Sequence, residues 1–327
     1  MTEPDETPAQ QLEQAILGED AVYNALEVAA ETGASIEQAQ RLWRALGFPD
    51  RGSERAFTQA DADAVSTLLR LVEEEAVDFD MAVDLTRAVG QTMARLADWE
   101  VATLVHRVQE MEAGEGATGS RATAALRLLD ALNGPFQSLL VYVWRRHLAA
   151  AVARVEALGA DDADLHTTQV TVGFADIVQF TALTNQLDHN RIGDLVEIFE
   201  SRCADVVAGQ HGRVIKSLGD AVLFVNEDPI RAYDTAEGII AVIGRDQRMP
   251  DVRVGLSTGP VVMRLGDVFG PSVNMAARLT AVARRNRIIV DDATAQLLPG
   301  DQFETRALPA RPVRGFGLVE PVAVRRH

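Results

Sequence analysis

Asp176 and Asp220 stand in two short segments, FADIVQFT (174–181) and GRVIKSLGD (212–220). The first aspartate follows an apolar, strand-like run and the second falls in the turn between two more, so a βαββ unit would carry both carboxylates to one sheet end. Paired carboxylates suit hard cations such as Mg²⁺ or Mn²⁺, which take their remaining ligands from water and phosphate oxygens. Two such ions can acidify an attacking hydroxyl and stabilise a phosphate leaving group. Asp176, Ile177 and Asp220 are the candidate metal set. Either aspartate alone reads as a turn residue; their neighbours argue for a site. Backbone amides running up to Phe180 and Thr181 would meet phosphate oxygens at a helix N-terminus. Lys216 can only donate hydrogen bonds, and ionised Asp267, in GDVFGPSVNMAAR (266–278), can only accept them. Asn274 and Arg278, four apart after Pro271, share one face of a helix start.

The elements that must position these groups follow from periodicity. Residues 168–175 alternate as a strand, 191–209 are helical, 213–217 and 221–225 are short strands, and 229–245 are helical again. Residues 252–264 suggest a strand and hairpin, 271–285 a helix and 288–290 a strand, an α+β domain on a largely antiparallel sheet. Residues 10–158 carry apolar positions at three-to-four spacing, the pattern of packed helices. Ser35 with Gln38 and Thr58 with Asp61 mark helix starts. Residues 111–120 form a loop, and a long helix is expected from about Gly134 to Leu158. The chain thus divides into an all-helical part, 1–158, and a mixed part, 159–327.

A chain of 327 residues with 47% apolar content can bury two cores. Its net charge of −17 argues against nucleic acid or anionic lipid as a general partner. Cys203, the only cysteine, excludes an internal disulfide and fits a reducing cytosol. The N-terminus lacks the pattern of a secretory signal. Arg145, Arg146 and His147 interrupt the most apolar long window, so no membrane span is expected and the location read from the sequence is cytoplasmic.

Together the three segments, in this order and spacing, resemble the catalytic domain of the class III nucleotidyl cyclases, most of all the adenylyl cyclases, over roughly residues 166–325. The resemblance implies a ferredoxin-like, palm-type βαββαβ fold. It implies ATP as substrate and cyclisation to 3′,5′-cyclic AMP with loss of pyrophosphate, using two Mg²⁺ or Mn²⁺ ions. Lys216 and Asp267 correspond to the purine-binding positions; a donor beside an acceptor complements adenine, whereas guanine reverses both edges. Asn274 corresponds to the ribose-positioning residue and Arg278 to the one stabilising charge on the α-phosphoryl group. Arg314 matches a usual Lys at the terminal phosphates, and Arg264 is a weaker phosphate candidate. Because the family's metal and base-reading residues come from different subunits, the resemblance implies an obligate homodimer. One departure is Gln179, where the family usually has Gly.

The segment from Glu31 to Phe48, followed by Phe57 to Asp61, looks like the helical N-terminal domain of soluble mycobacterial cyclases. That likeness implies autoinhibition, pH response and a fatty acid or lipid in the helical domain; independently of it, a histidine such as His106, His147 or His166 is the residue type suited to a pH response. Two other readings are a DNA-binding MerR-like N-terminus and a catalytically silent nucleotide-binding scaffold.

Overall fold

The computed structural model describes residues 7–49, 51–114, 116–157, 167–264 and 266–327. The chain separates into two compact units, 1–154 and 155–327. The boundary expected at 158/159 and His166 lie outside the described residues.

The N-terminal unit is helical: α1 (Pro8–Leu17), α2 (Ala25–Thr32), α3 (Ile36–Leu46), α4 (Gln59–Glu73), α5 (Phe79–Ala113) and α6 (Arg121–Ala157). Both expected starts carry complete capping boxes, Ser35 with Gln38 on α3 and Thr58 with Asp61 on α4. Val28, Leu42, Trp43, Phe57, Val65 and Val83 fill one core, with the Trp43 and Phe57 rings 4.4 Å apart. Helix α6 begins thirteen residues before Gly134 and runs through Pro135. Ser120 supplies the start instead: its side chain accepts the Thr123 amide and its carbonyl the Ala124 amide. Among the described residues no helix is long and apolar enough to cross a membrane.

The C-terminal unit opens with β1 (Thr167–Ile177), the short α7 (Phe180–Thr184) and α8 (His189–Gly209). Strands β2 (Arg213–Ser217) and β3 (Ala221–Asn226), α9 (Pro229–Gly244) and β4 (Val252–Arg264) complete a βαββαβ unit. After it come β5 (Asp267–Phe269), α10 (Pro271–Val282), β6 (Ile288–Val290), α11 (Asp292–Leu297), β7 (Phe303–Ala307), β8 (Arg311–Val313), β9 (Gly317–Val319) and β10 (Val322–Arg326). The sheet runs β2-β3-β1-β4-β6-β10-β7, with β5 hairpinned onto β4 and β8 paired with β9 in a separate ribbon. Among the described residues only the β4–β6 pairing is parallel. Helix α8 buries Leu195, Phe199, Cys203 and Val207, a four-residue stripe, against one sheet face with α9. Helix α10 covers the opposite face.

Strand β4 is continuous over 252–264, where a strand and hairpin were expected. It pairs with β1 from Val252 to Val262, while β6 reaches only Val254 to Leu256 on its other side. Pro260 therefore sits where its missing N–H breaks no ladder on the β6 side. The hairpin lies beyond it, joining β4 to β5.

Candidate active site

The two carboxylates reach one sheet end through strand register. Asp176 pairs across β1–β3 with Ala221, next to Asp220, and the Asp220 carbonyl accepts the Ile177 amide at 2.9 Å. Gly219, at φ 72, makes the turn that holds Asp220 there. Ile177 buries its side chain in the core, so only its main-chain carbonyl is open to ligation. Burial pushes the Asp176 carboxyl above its ordinary value, Arg253 pulls it back and the Asp220 carboxylate pushes it up again. A cation between the carboxylates would relieve that repulsion, and the donors are hard oxygens, so the site fits a divalent ion such as Mg²⁺ or Mn²⁺. No cluster of three or more His, Cys, Asp or Glu capable of holding a metal occurs among the described residues. Water and phosphate oxygens must complete the shell.

Arg253 is a site residue that the sequence did not single out. It donates to Asp176 through Nε at 2.7 Å and Nη2 at 2.6 Å, and through Nη1 to the Ala281 carbonyl at the end of α10. The register Asp176↔Arg253 brings them together. The only sequence signal was an Arg two residues before Gly255 on an apolar strand.

Beyond Asp176 the chain enters α7 through Gln179, whose φ of 59 is left-handed. The Ala182 and Leu183 amides close onto the Gln179 carbonyl. The Phe180 and Thr181 amides form no such bond and stand at the helix start, while the Phe180 ring packs on the core. The β1–α7 backbone is thus bent to present amides, with a side chain where glycine fits at least cost.

Lys216 and Asp267 meet directly, Nζ to Oδ2 at 2.5 Å, and the other Asp267 oxygen accepts the Val268 amide at 2.8 Å. A register shift between Val214 and Lys216 marks a bulge in β2 beside this pair, the kind of feature that re-aims a side chain. Both residues are half-buried. Lys216 is also the only lysine in the chain.

Helix α10 lies hard against β4. A Cβ on Gly255 would stand 2.4 Å from the Thr280 amide nitrogen, and one on Gly259 would stand 2.4 Å from Ser272 Oγ. With Ser272, Ala276, Leu279 and Thr280 buried, Asn274 and Arg278 project from the exposed side. Neither side chain makes a hydrogen bond or ion pair among the described residues, and nothing links them to Asp176 or Asp220. Arg264 is exposed at the end of β4, and Arg314 is exposed in the β8–β9 turn. Neither is joined to the other site residues. One chain therefore assembles a carboxylate end, a lysine–aspartate pair and an outward-facing Asn–Arg face.

Residues 164–324 match the family described as the adenylate and guanylate cyclase catalytic domain, and residues 6–148 match the adenylate cyclase regulatory domain. Over 99% of its length the chain is 38% identical to an adenylate cyclase of Streptomyces coelicolor, spanning 92% of that protein. An adenylate cyclase of Streptomyces griseus is 37% identical over 99% of this chain and 91% of its own. A pH-sensitive adenylate cyclase of Mycobacterium tuberculosis is 29% identical over 95% of this chain and 80% of its own. The regulatory-domain match takes the place of the DNA-binding alternative. Residues 1–154, with 25 acidic and 13 basic side chains, lack the basic footprint such a module needs.

Proposed function

The chain belongs to the class III adenylate cyclases, carrying a regulatory domain ahead of the catalytic one, and from that premise we propose that it converts ATP to 3′,5′-cyclic AMP and pyrophosphate in a homodimer with two composite sites. The observation that carries this reading is the Lys216–Asp267 pair. It offers adenine a donor for N1 and an acceptor for the exocyclic N6, and with guanine both edges would be mismatched. A buried mismatch leaves polar groups unpaired, which is where nucleotide discrimination arises.

In the reaction the ribose 3′-oxygen forms a bond to the α-phosphorus, the bond to the β-bridging oxygen breaks, and the hydroxyl proton is released as pyrophosphate departs. Asp176, Asp220 and the Ile177 carbonyl would hold two divalent ions, Mg²⁺ or Mn²⁺; when bound, they supply charge neutralisation and acidify the attacking hydroxyl. Asn274 orients the ribose, and Arg278 meets the negative charge that builds on the α-phosphoryl group, an effect typically worth about 10²–10³-fold in rate. The Phe180 and Thr181 amides receive phosphate oxygens, with Arg264 and Arg314 as further cations for the terminal phosphates. Arg253 donates to Asp176 and fixes the direction of that carboxylate. Positioning and fixed charge do the work, without a covalent intermediate.

The outward direction of Asn274 and Arg278 favours assembly in which one subunit's α10 serves the other's carboxylates. Exposed apolar residues at four-residue spacing, Met81, Leu85, Val89 and Met93 on α5, give the helical unit a surface suited to self-association. We read residues 1–158 as the regulatory part and 159–327 as the catalytic part, the first autoinhibitory and pH-responsive. The expectation of a fatty acid there gains no support from its core, which is filled by its own side chains.

The test is cyclic AMP formation from ATP with Mn²⁺ or Mg²⁺ between pH 5 and 8, with GTP as competitor and Asp220→Ala alongside. Product from ATP that the variant loses by at least 10²-fold is expected. Nucleotide binding without product at any pH would return the chain to the silent-scaffold reading.

A further inference from the structure

We propose that the cavity bounded by the end of α10 and by β6, β10, β7 and β8 is a second anion site, built for a group with two linked phosphates. The cavity has a volume of about 710 Å³, and Arg284, Arg287, Arg306, Arg311 and Arg325 line it with a single carboxylate, Glu304. Arg325 already holds Glu304 through Nε at 2.6 Å and Nη2 at 2.5 Å. The other four guanidinium groups make no ion pair or side-chain hydrogen bond among the described residues.

This is anomalous for the molecule that contains it. The chain carries 17 more acidic than basic side chains, and elsewhere in the same unit several arginines are neutralised, Arg202 and Arg248 by Asp246, Arg253 by Asp176, Arg326 by Asp234 and Glu237; others, such as Arg264, Arg278 and Arg314, carry no ion pair among the described residues, but here four such groups line one concavity. Four unpaired cations around one concavity repel one another, and a bound polyanion turns that repulsion into attraction. The choice of arginine matters, because its planar fork makes bidentate contacts to phosphate. The floor is apolar, with Ile289, Leu308 and Ala323 packed beneath the cations. None of Asp176, Lys216, Asp220, Asp267, Asn274 or Arg278 lines the cavity. The ligand class is a diphosphate, either free pyrophosphate or the end of a nucleotide whose organic part lies on the floor.

Titration calorimetry on the full chain in metal-free buffer with EDTA, using inorganic pyrophosphate and separately ADP, tests the assignment. Wild type is expected to bind, Arg287→Ala/Arg306→Ala to weaken binding at least tenfold, and Arg287→Lys/Arg306→Lys to fall between them. Arg278→Ala is expected to leave the affinity within about twofold. Equal affinities for the two ligands identify the free anion, and tighter ADP identifies a nucleotide on the floor; either supports the site. No binding by wild type, binding indifferent to the double substitution in a variant with an unchanged melting temperature, or binding lost with Arg278→Ala overturns it.

Discussion

Gln179 holds a backbone conformation that costs a residue with a side chain roughly 1–2 kcal/mol. Gln179→Gly is therefore expected to raise the unfolding free energy by up to about 1 kcal/mol, read in a urea titration; a fall would show that the glutamine side chain anchors the loop. Lys216→Met, which keeps the length and removes the donor, is expected to lower kcat/KM for ATP about 10–100-fold while narrowing the margin over GTP. Burial pushes the Cys203 thiol up to about 12, so alkylation at pH 8 is expected only after unfolding. Burial and the Glu237 carboxylate push the Tyr233 phenol up to about 12 as well. An unfolded phenol ionises near pH 10, so this contribution is intact below pH 10 and is lost as pH rises toward 12. Unfolding midpoints at pH 9 and 11 check it. That Asp176 would lie beside Asp220 and that Lys216 and Asp267 belong together could be argued from residue types and offsets, and the fold brings each pair together. Arg253 was not legible in the sequence, because its meaning depends on which strand lies beside β1.

At the level of elements, the contact between α10 and β4 sets the direction of Asn274 and Arg278. Gly255→Ala puts a methyl group into the backbone of α10, where no side chain can rotate away. It is expected to cost about 1–3 kcal/mol or more and to abolish cyclase activity, both read on the same preparation. In the helical unit a Cβ on Gly90 would stand 2.4 Å from the Leu46 carbonyl oxygen. Gly90→Ala should thus disturb the α3–α5 contact and change regulation more than catalysis, seen as an altered pH profile of cyclic AMP formation. Periodicity located the elements that carry Asp176, Lys216, Asn274 and Arg278, but not β5, which carries Asp267, nor α7, at whose start Phe180 and Thr181 stand. It failed where one residue type serves two contexts: Pro135, beside the expected helix start at Gly134, lies inside α6, and Pro260, within the stretch expected to form a strand and hairpin, lies on a half-free side of β4. Tertiary pairing decides such cases, and a single sequence does not contain it.

For the whole molecule, the proposed composite sites make a sharp prediction. Asp220→Ala and Arg278→Ala should each be nearly inactive, and mixing them should restore activity. Random pairing makes about half the dimers mixed, each with one intact site, so roughly a quarter of wild-type activity is expected. No recovery after subunit exchange, verified by light scattering, would point to sites completed within one chain. The cationic cavity was not legible beforehand, because its arginines come from separate strands and a loop and look like ordinary surface charge until the sheet gathers them. The chain's near-exclusive use of arginine has one last result. Apart from an N-terminal amine, Lys216 is the only amine on the molecule, so acylating reagents, amine-coupled sensor chips and enzymatic lysine acetylation all converge on the pair proposed to read the base. Immobilisation through amines consumes this one lysine, whereas the mass shift of one acetyl group, protected or not by nucleotide, becomes a direct gauge of whether nucleotide covers it.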